Sequence, residues 1–173
     1  MELARVIYTE AEIRRRVAEL GEEITEAYQG QPLVVIGILK GAFVFMSDLI
    51  RQIKAPQEVD FVSLSSYGPS STTSGVVRLL RDLDKDIAGK DVLVVEDIVD
   101  TGLTLSYLRE NLLLRKPASL KICTFLDKPS RRKVELTPDF VGYQIDDLFV
   151  VGYGLDFNEQ GRELPFIASV KEQ

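Results

Sequence analysis

Residues 92 to 104, Val-Leu-Val-Val-Glu-Asp-Ile-Val-Asp-Thr-Gly-Leu-Thr, set three carboxylates and two hydroxyls directly behind four apolar residues. Carboxylates of this kind accept hydrogen bonds from a vicinal diol, and they hold the waters around a hard dication such as Mg²⁺. The following Asp100-Thr101-Gly102-Leu103-Thr104 can wrap backbone N–H groups and two hydroxyls around a phosphate at the mouth of a helix, where the helix dipole adds partial positive charge. Gly102 lets the backbone come close to such a ligand. Taken singly, each acid has a plain alternative: Asp100 or Thr101 caps the helix while Glu96 and Asp97 face water. Three acids and a Thr-Gly-x-Thr cradle after one apolar run point instead to a site for a ligand that carries both phosphate and hydroxyls.

Other phosphate motifs fit poorly. No GxxxxGK[ST] loop is present, and Gly152-Tyr153-Gly154 opens a GxGxxG pattern that meets Phe157 where the third glycine belongs. The chain contains no histidine. Ser-His-Asp and Cys-His nucleophiles, HExxH zinc sites and imidazole acid–base steps are thereby excluded, which leaves carboxylates, lysine, tyrosine or a metal-bound water to move protons. The net charge of −6 argues against a broad basic surface for nucleic acid.

These groups need elements to position them. At 173 residues, 45% apolar and 28% charged, the sequence suits one soluble globular domain over residues 1–173. The first ten residues lack the plan of a signal peptide, and no apolar run approaches the ~18 residues of a membrane span, so a cytoplasmic protein without a membrane partner is expected. The single Cys123, inside an apolar run, reads as a buried thiol in a reducing compartment. Thr9-Glu10-Ala11-Glu12 forms a capping box, and Ile13, Val17, Leu20, Ile24 and Tyr28 then follow at helical spacing. Strands are predicted at 33–38, 59–64, 92–95, 120–126, 140–143 and 149–153, with further helices at 42–53 and 104–115. The alternation predicts an α/β fold with a mostly parallel twisted sheet and helices on both faces, and ligands in such sheets bind beyond the carboxyl ends of the strands. Glu96 and Asp97 fall at that end of a strand expected to be buried on both faces.

The same stretch resembles the phosphoribosyl-diphosphate (PRPP) signature of the type I phosphoribosyltransferases. With "GILKGAFVFMSDLI", "SLSSYG", "SGVVRLLRDLD", "LDKPSRRKV" and "FVVGYGLDFNE", nearly the whole chain resembles the bacterial hypoxanthine (6-oxopurine) phosphoribosyltransferases. The resemblance implies the type I fold with a small hood, Mg²⁺ as cofactor, PRPP and 6-oxopurine bases as substrates, and a homodimer or homotetramer.

Residue by residue, it implies that Glu96 and Asp97 meet the ribose hydroxyls and magnesium waters. Asp100 is placed at the purine N7 as the catalytic base, and Asp100, Thr101, Gly102, Leu103 and Thr104 hold the 5′-phosphate. Lys40, Gly41 and Arg162 match the pyrophosphate-binding positions, with a non-proline cis bond before Lys40. Ser66, Tyr67 and residues 68–75 match a mobile loop that closes over the site; by composition alone they read as a hairpin tip. Lys128 matches the donor to the purine O6, which favours hypoxanthine and guanine over adenine. Phe149 matches the stacking aromatic, Val150 a backbone contact to the base, and Asp156 a magnesium ligand beside it. Gly161 departs from the family, whose members usually carry an aromatic before the arginine. Without the resemblance, Lys40 reads as a solvated lysine and Phe149 as a core strand residue. Two other classes share features of this chain. A regulator on the same fold would lose the acid at 100 or gain a basic face; an adenine, uracil or orotate transferase would share the PRPP loop without the Lys128 and Phe149-Val150 pair.

Overall fold

The computed structural model describes residues 1–66 and 77–171. Its centre is a six-stranded sheet built from β2 (Leu33–Leu39), β3 (Gln57–Ser66), β4 (Val77–Arg81), β5 (Asp91–Val99), β6 (Ser119–Asp127) and β7 (Phe140–Gln144), in the order β4-β3-β2-β5-β6-β7. All neighbours are parallel except β3 and β4, which pair antiparallel from Ser63↔Arg81 to Ser66↔Val77. Beside it lies a three-stranded antiparallel sheet, β1 (Leu3–Tyr8), β9 (Ile167–Val170) and β8 (Val150–Val151), which forms the expected hood.

Two apolar layers cover the central sheet, as its two-sided burial requires. On one face α1 (Glu10–Tyr28) and α2 (Phe43–Ile50) bury Ile13, Val17, Leu20, Ile24, Phe45, Met46 and Leu49 against Val35, Leu93, Val95, Cys123 and Phe125. On the other, α3 (Leu103–Leu113) buries Leu105, Leu108 and Leu112 against Val34, Ile36, Val92, Val94 and Ile122. The capping box at the start of α1 is formed: Glu12 N–H donates to Thr9 Oγ1 (3.2 Å) and Thr9 N–H to Glu12 Oε2 (2.8 Å).

The second helix is shorter than its periodicity predicts. The Gln57 side-chain amide donates to the carbonyls of Ile50, Ile53 and Ala55, which lets the chain leave the helix after Ile50 while Ile53 stays in the core. Residues 149–153 are not a strand of the central sheet. Only Val150 and Val151 are extended, and they pair with β9 in the hood. The strands β1, β4 and β9 carry no long periodic pattern and are held by their partners. Cys123 is fully buried, and burial pushes its thiol well above the usual range. No described helix is long and apolar enough to cross a membrane.

The strand order defines where a ligand can go. From β2 the chain crosses outward to β3, whereas β5 leads the opposite way to β6, so the connections diverge between β2 and β5. A crevice opens at such a switch point, at the carboxyl ends of the two strands. The β2 ladder on β5 ends at Gly37↔Val95 while the β6 ladder runs on to Val99↔Asp127, so β5 projects past its β2 neighbour.

Candidate active site

The projecting end of β5 carries Glu96, Asp97 and Asp100. Val92 to Val95 are at most 1% exposed, whereas Glu96, Asp97 and Asp100 are half-buried at the crevice. The two adjacent carboxylates fold back on the backbone: Asp97 N–H donates to Glu96 Oε1 (2.9 Å) and Ile98 N–H to Asp97 Oδ1 (2.6 Å). Burial pushes the Glu96 carboxyl well above the usual range, and the neighbouring Asp97 charge adds to it. Burial also raises Asp97, opposed by its hydrogen bonds and by the Arg162 charge. Such a pair is short of positive charge and of donors, which is what a ribose diol or a hydrated dication supplies. The plain alternative, in which these acids face open water, is not the arrangement found.

Opposite them, the Leu39–Lys40 peptide is cis, as expected. A Cβ on Gly41 would sit 1.8 Å from Asp97 Oδ2, and one on Gly154 would sit 2.2 Å from the Gly41 carbonyl oxygen. Glycine at 41 and 154 therefore lets two backbone segments and the Asp97 carboxylate meet; Gly154 also takes φ +98°.

The helix α3 begins at Gly102, which adopts φ 82° and makes no side-chain cap. Leu103 N–H leans on Thr101 Oγ1 (3.4 Å), and Ser106 N–H closes the first turn on the Gly102 carbonyl (2.9 Å). Neither Asp100 nor Thr101 is the cap, so the first amides of the helix face a loop of Thr101, Gly102 and Thr104 rather than a capping side chain.

Beyond the β6 strand, Lys128 is 7% exposed, a rare environment for a lysine, and lies 3.6 Å from Asp147. Phe149 is 55% exposed with its ring edge-on to Phe157 at 5.5 Å, so it presents a face to solvent instead of filling the core. Val150 is buried at the start of β8. Asp156 accepts from Glu159 N–H (2.8 Å) and pairs with Arg162 (3.2 Å). The Arg162 guanidinium also donates to the Gly154 carbonyl (2.8 Å). Gly161 takes φ 96° and its missing side chain leaves room for Met1, while Arg162 is still aimed at the Gly154–Asp156 turn. Lys40 lies at the rim and pairs with Glu159 at 3.1 Å. Ser66 ends β3, and Tyr67 with the 68–75 loop falls outside the described residues.

Five further residues organise this site. Arg132 donates to Asp127 Oδ1 (2.6 Å), to the Leu136 carbonyl (2.9 Å) and to the Asp100 carbonyl (2.9 Å). Asp127 is 3% exposed, so this buried pair staples the end of β6 to the loop after β5. Arg131, in the 3-10 turn Pro129–Arg131, donates from Nε to Asp100 Oδ1 (2.9 Å) and reaches Asp147 (3.4 Å). Glu159 sits between Lys40 and Arg162, 3.1 and 3.5 Å from them. The signal was present in the run Lys128-Pro129-Ser130-Arg131-Arg132-Lys133, where three basic residues follow a proline turn next to a predicted strand end.

Among the described residues no three acidic, cysteine or histidine side chains converge as a ready-made cage. Magnesium needs none, because it binds through one or two carboxylates and completes its shell with substrate phosphates and waters. The Glu96–Asp97 pair and Asp156 are hard oxygen donors suited to that arrangement.

A mostly parallel sheet with its switch point between β2 and β5, an acid pair at the end of the central strand and a helix start without a side-chain cap behind it make an arrangement suited to a phosphorylated sugar. The match to the phosphoribosyl transferase domain runs over residues 6–158, and the chain belongs to that family. The hypoxanthine phosphoribosyltransferase of Salmonella typhimurium is 54% identical over 167 residues, 95% of this chain and 94% of that protein. The hypoxanthine-guanine phosphoribosyltransferase of Bacillus subtilis is 50% identical over 170 residues, 98% and 94% of the two chains. A crystal structure of a hypoxanthine-guanine phosphoribosyltransferase from Bacillus anthracis superimposes with a TM-score of 0.95 at 51% identity, covering 98% of this chain and all of that one.

Proposed function

We propose that this protein is a purine-salvage enzyme that transfers the 5-phosphoribosyl group of PRPP to N9 of hypoxanthine, and of guanine, releasing pyrophosphate. The observation that carries the reading is the half-buried Glu96–Asp97 pair at the switch point, with Asp97 packed on Gly41, on the strand that leads into the start of α3. Hypoxanthine and guanine transferases at about half identity over nearly the full chain support the substrate class.

In this reading the amides and hydroxyls of 100–104 hold the 5′-phosphate, and Glu96 and Asp97 orient the ribose by its 2′ and 3′ hydroxyls. Gly41 backbone, Lys40 and Arg162 receive the pyrophosphate, with Glu159 moving aside as the anion takes its two cations. Asp156, with Glu96 and Asp97 acting through water, would hold Mg²⁺, which would supply positive charge to neutralise the departing pyrophosphate. The base stacks on Phe149, takes backbone contacts at Val150 and Asp156, and offers O6 to Lys128. Asp100 accepts the N7 proton, so N9 attacks C1 as the bond to pyrophosphate lengthens, and carboxylate chemistry replaces the histidine the chain lacks. The 66–75 segment is assigned to closing the site against water. A single domain over 1–173, a cytoplasmic location and a homodimer or homotetramer belong to the same proposal.

The protein is incubated with PRPP, Mg²⁺ and, separately, hypoxanthine, guanine, xanthine and adenine. Inosine or guanosine monophosphate with equimolar pyrophosphate is expected, and little from adenine. Product from adenine alone, or from none of the bases, contradicts the reading.

A further inference from the structure

Asp100 is gripped twice. Arg132 holds its backbone carbonyl from within the protein, and Arg131 holds its carboxylate from the surface. The second contact continues. Arg131 Nη1 lies 3.4 Å from Asp147 Oδ2, and the other oxygen of Asp147 lies 3.6 Å from Lys128 Nζ. A chain of four alternating charges, Asp100, Arg131, Asp147 and Lys128, thus spans the mouth of the candidate purine site and joins three connections: the one after β5, the one after β6 and the one between β7 and β8. Arg131 and Lys128 are also tied through the backbone, since Arg131 N–H donates to the Lys128 carbonyl (3.0 Å) and Lys128 N–H to Val99 O (2.9 Å).

Stability does not account for this chain. The Arg131, Asp100 and Asp147 side chains are 47%, 44% and 55% exposed, and exposed ion pairs contribute little to folding. Its geometry is directional instead. The guanidinium occupies Oδ1 of Asp100 and leaves Oδ2, which no described residue engages, turned to one side. At the other end Asp147 restrains an ammonium that is itself buried.

We propose that Arg131, braced by Asp147, is a positioning residue that sets the direction of the Asp100 carboxylate and its separation from Lys128, so that one 6-oxopurine meets the N7 acceptor and the O6 donor together. This rests on the function proposed above. A base held off by even an ångström forfeits much of the rate that orientation supplies.

The test compares wild type, Arg131→Ala, Arg131→Lys, Asp100→Asn and the Arg131→Ala/Asp100→Asn double variant in steady-state transfer to hypoxanthine. Arg131→Ala is expected to lower kcat about tenfold while the KM for PRPP stays within about twofold. Arg131→Lys should recover part of the loss, and millimolar guanidinium chloride should restore rate to Arg131→Ala. In the Asp100→Asn background the alanine change should cost nothing further, because the group it positions is gone. An unchanged kcat in Arg131→Ala, a loss independent of Asp100, or a loss confined to the KM for PRPP overturns the proposal. Should the alanine protein not fold, Arg131→Gln takes its place in every comparison. Absence of transfer by the wild type would instead dismiss the functional reading, which keeps the two failures apart.

Discussion

Along β5 the chain changes character between Val95 and Glu96. The first half obeys the rules of a buried strand: Val92, Leu93, Val94 and Val95 alternate between the two apolar layers and are closed off from water. The second half, on the same strand and paired to the same neighbour β6, places carboxylates where burial raises the cost of their charge. Folding alone does not favour the second arrangement. What differs is the β2 side, where the ladder stops at Gly37↔Val95 and Gly41 packs against the Asp97 carboxylate. The lower half holds the sheet together, and the upper half gives up part of that stability where the proposed ribose site lies.

The contrast can be broken most severely from below. Val94→Asp puts an unpaired carboxylate between α3 and the sheet at a position 1% exposed, and should cost about 4 kcal/mol or more. Thermal or urea unfolding is expected to show little or no folded protein; a near-normal transition would mean that the two halves of β5 are not different environments. At the upper end, Asp100→Asn should leave the fold and PRPP affinity in place and lower turnover on the order of 10²-fold or more, the scale of losing a general base. Equal turnover in steady-state kinetics would remove Asp100 from that role.

Lys128→Ala should reduce discrimination between hypoxanthine and adenine by about tenfold, since a charged donor to O6 is worth roughly 1.5 to 3 kcal/mol. Identical kcat/KM ratios for the two bases in both proteins would exclude Lys128 as the selector. The smallest effect is a gain. Burial raises the proton affinity of Glu96 in the folded state, so ionising it opposes folding. The penalty is absent below the ordinary glutamate range, where folded and unfolded chains are both protonated, and grows as pH rises toward the raised folded value. Glu96→Gln should therefore stabilise the ligand-free protein at neutral pH by about 1 kcal/mol, a few degrees in Tm, with the gain fading in acid. A gain equal at all pH values, or a loss, would contradict the assignment of strain to that carboxyl.

The sequence made the lower half of the molecule readable because long periodic segments repeat one physical demand. The α1 stripe from Ile13 to Tyr28 is buried throughout, and the four apolar residues before Glu96 form the sheet centre. Short elements whose partners lie far along the chain were not readable. Residues Leu3–Tyr8 and Ile167–Val170 become strands only because they pair with each other, and Val150-Val151 joins them rather than the central sheet. At the site, residues within one contiguous motif, Glu96 to Thr104, were legible from spacing, whereas Lys40, Phe149, Asp156 and Arg162 needed the family resemblance. The supports Arg131, Arg132, Asp127, Asp147 and Glu159 carry no distinguishing spacing, because charged residues ordinarily face water, and only the fold shows which of them turn toward Asp100, Lys128 or Lys40.

The most direct test is a crystal structure of the protein with PRPP and Mg²⁺ diffused into it. The 5′-phosphate is expected on the amides and hydroxyls of 101–104, the ribose hydroxyls at Glu96 and Asp97, and the pyrophosphate beside Gly41 and Arg162. Density for the sugar diphosphate anywhere else, with the upper half of β5 left bare, would contradict the account.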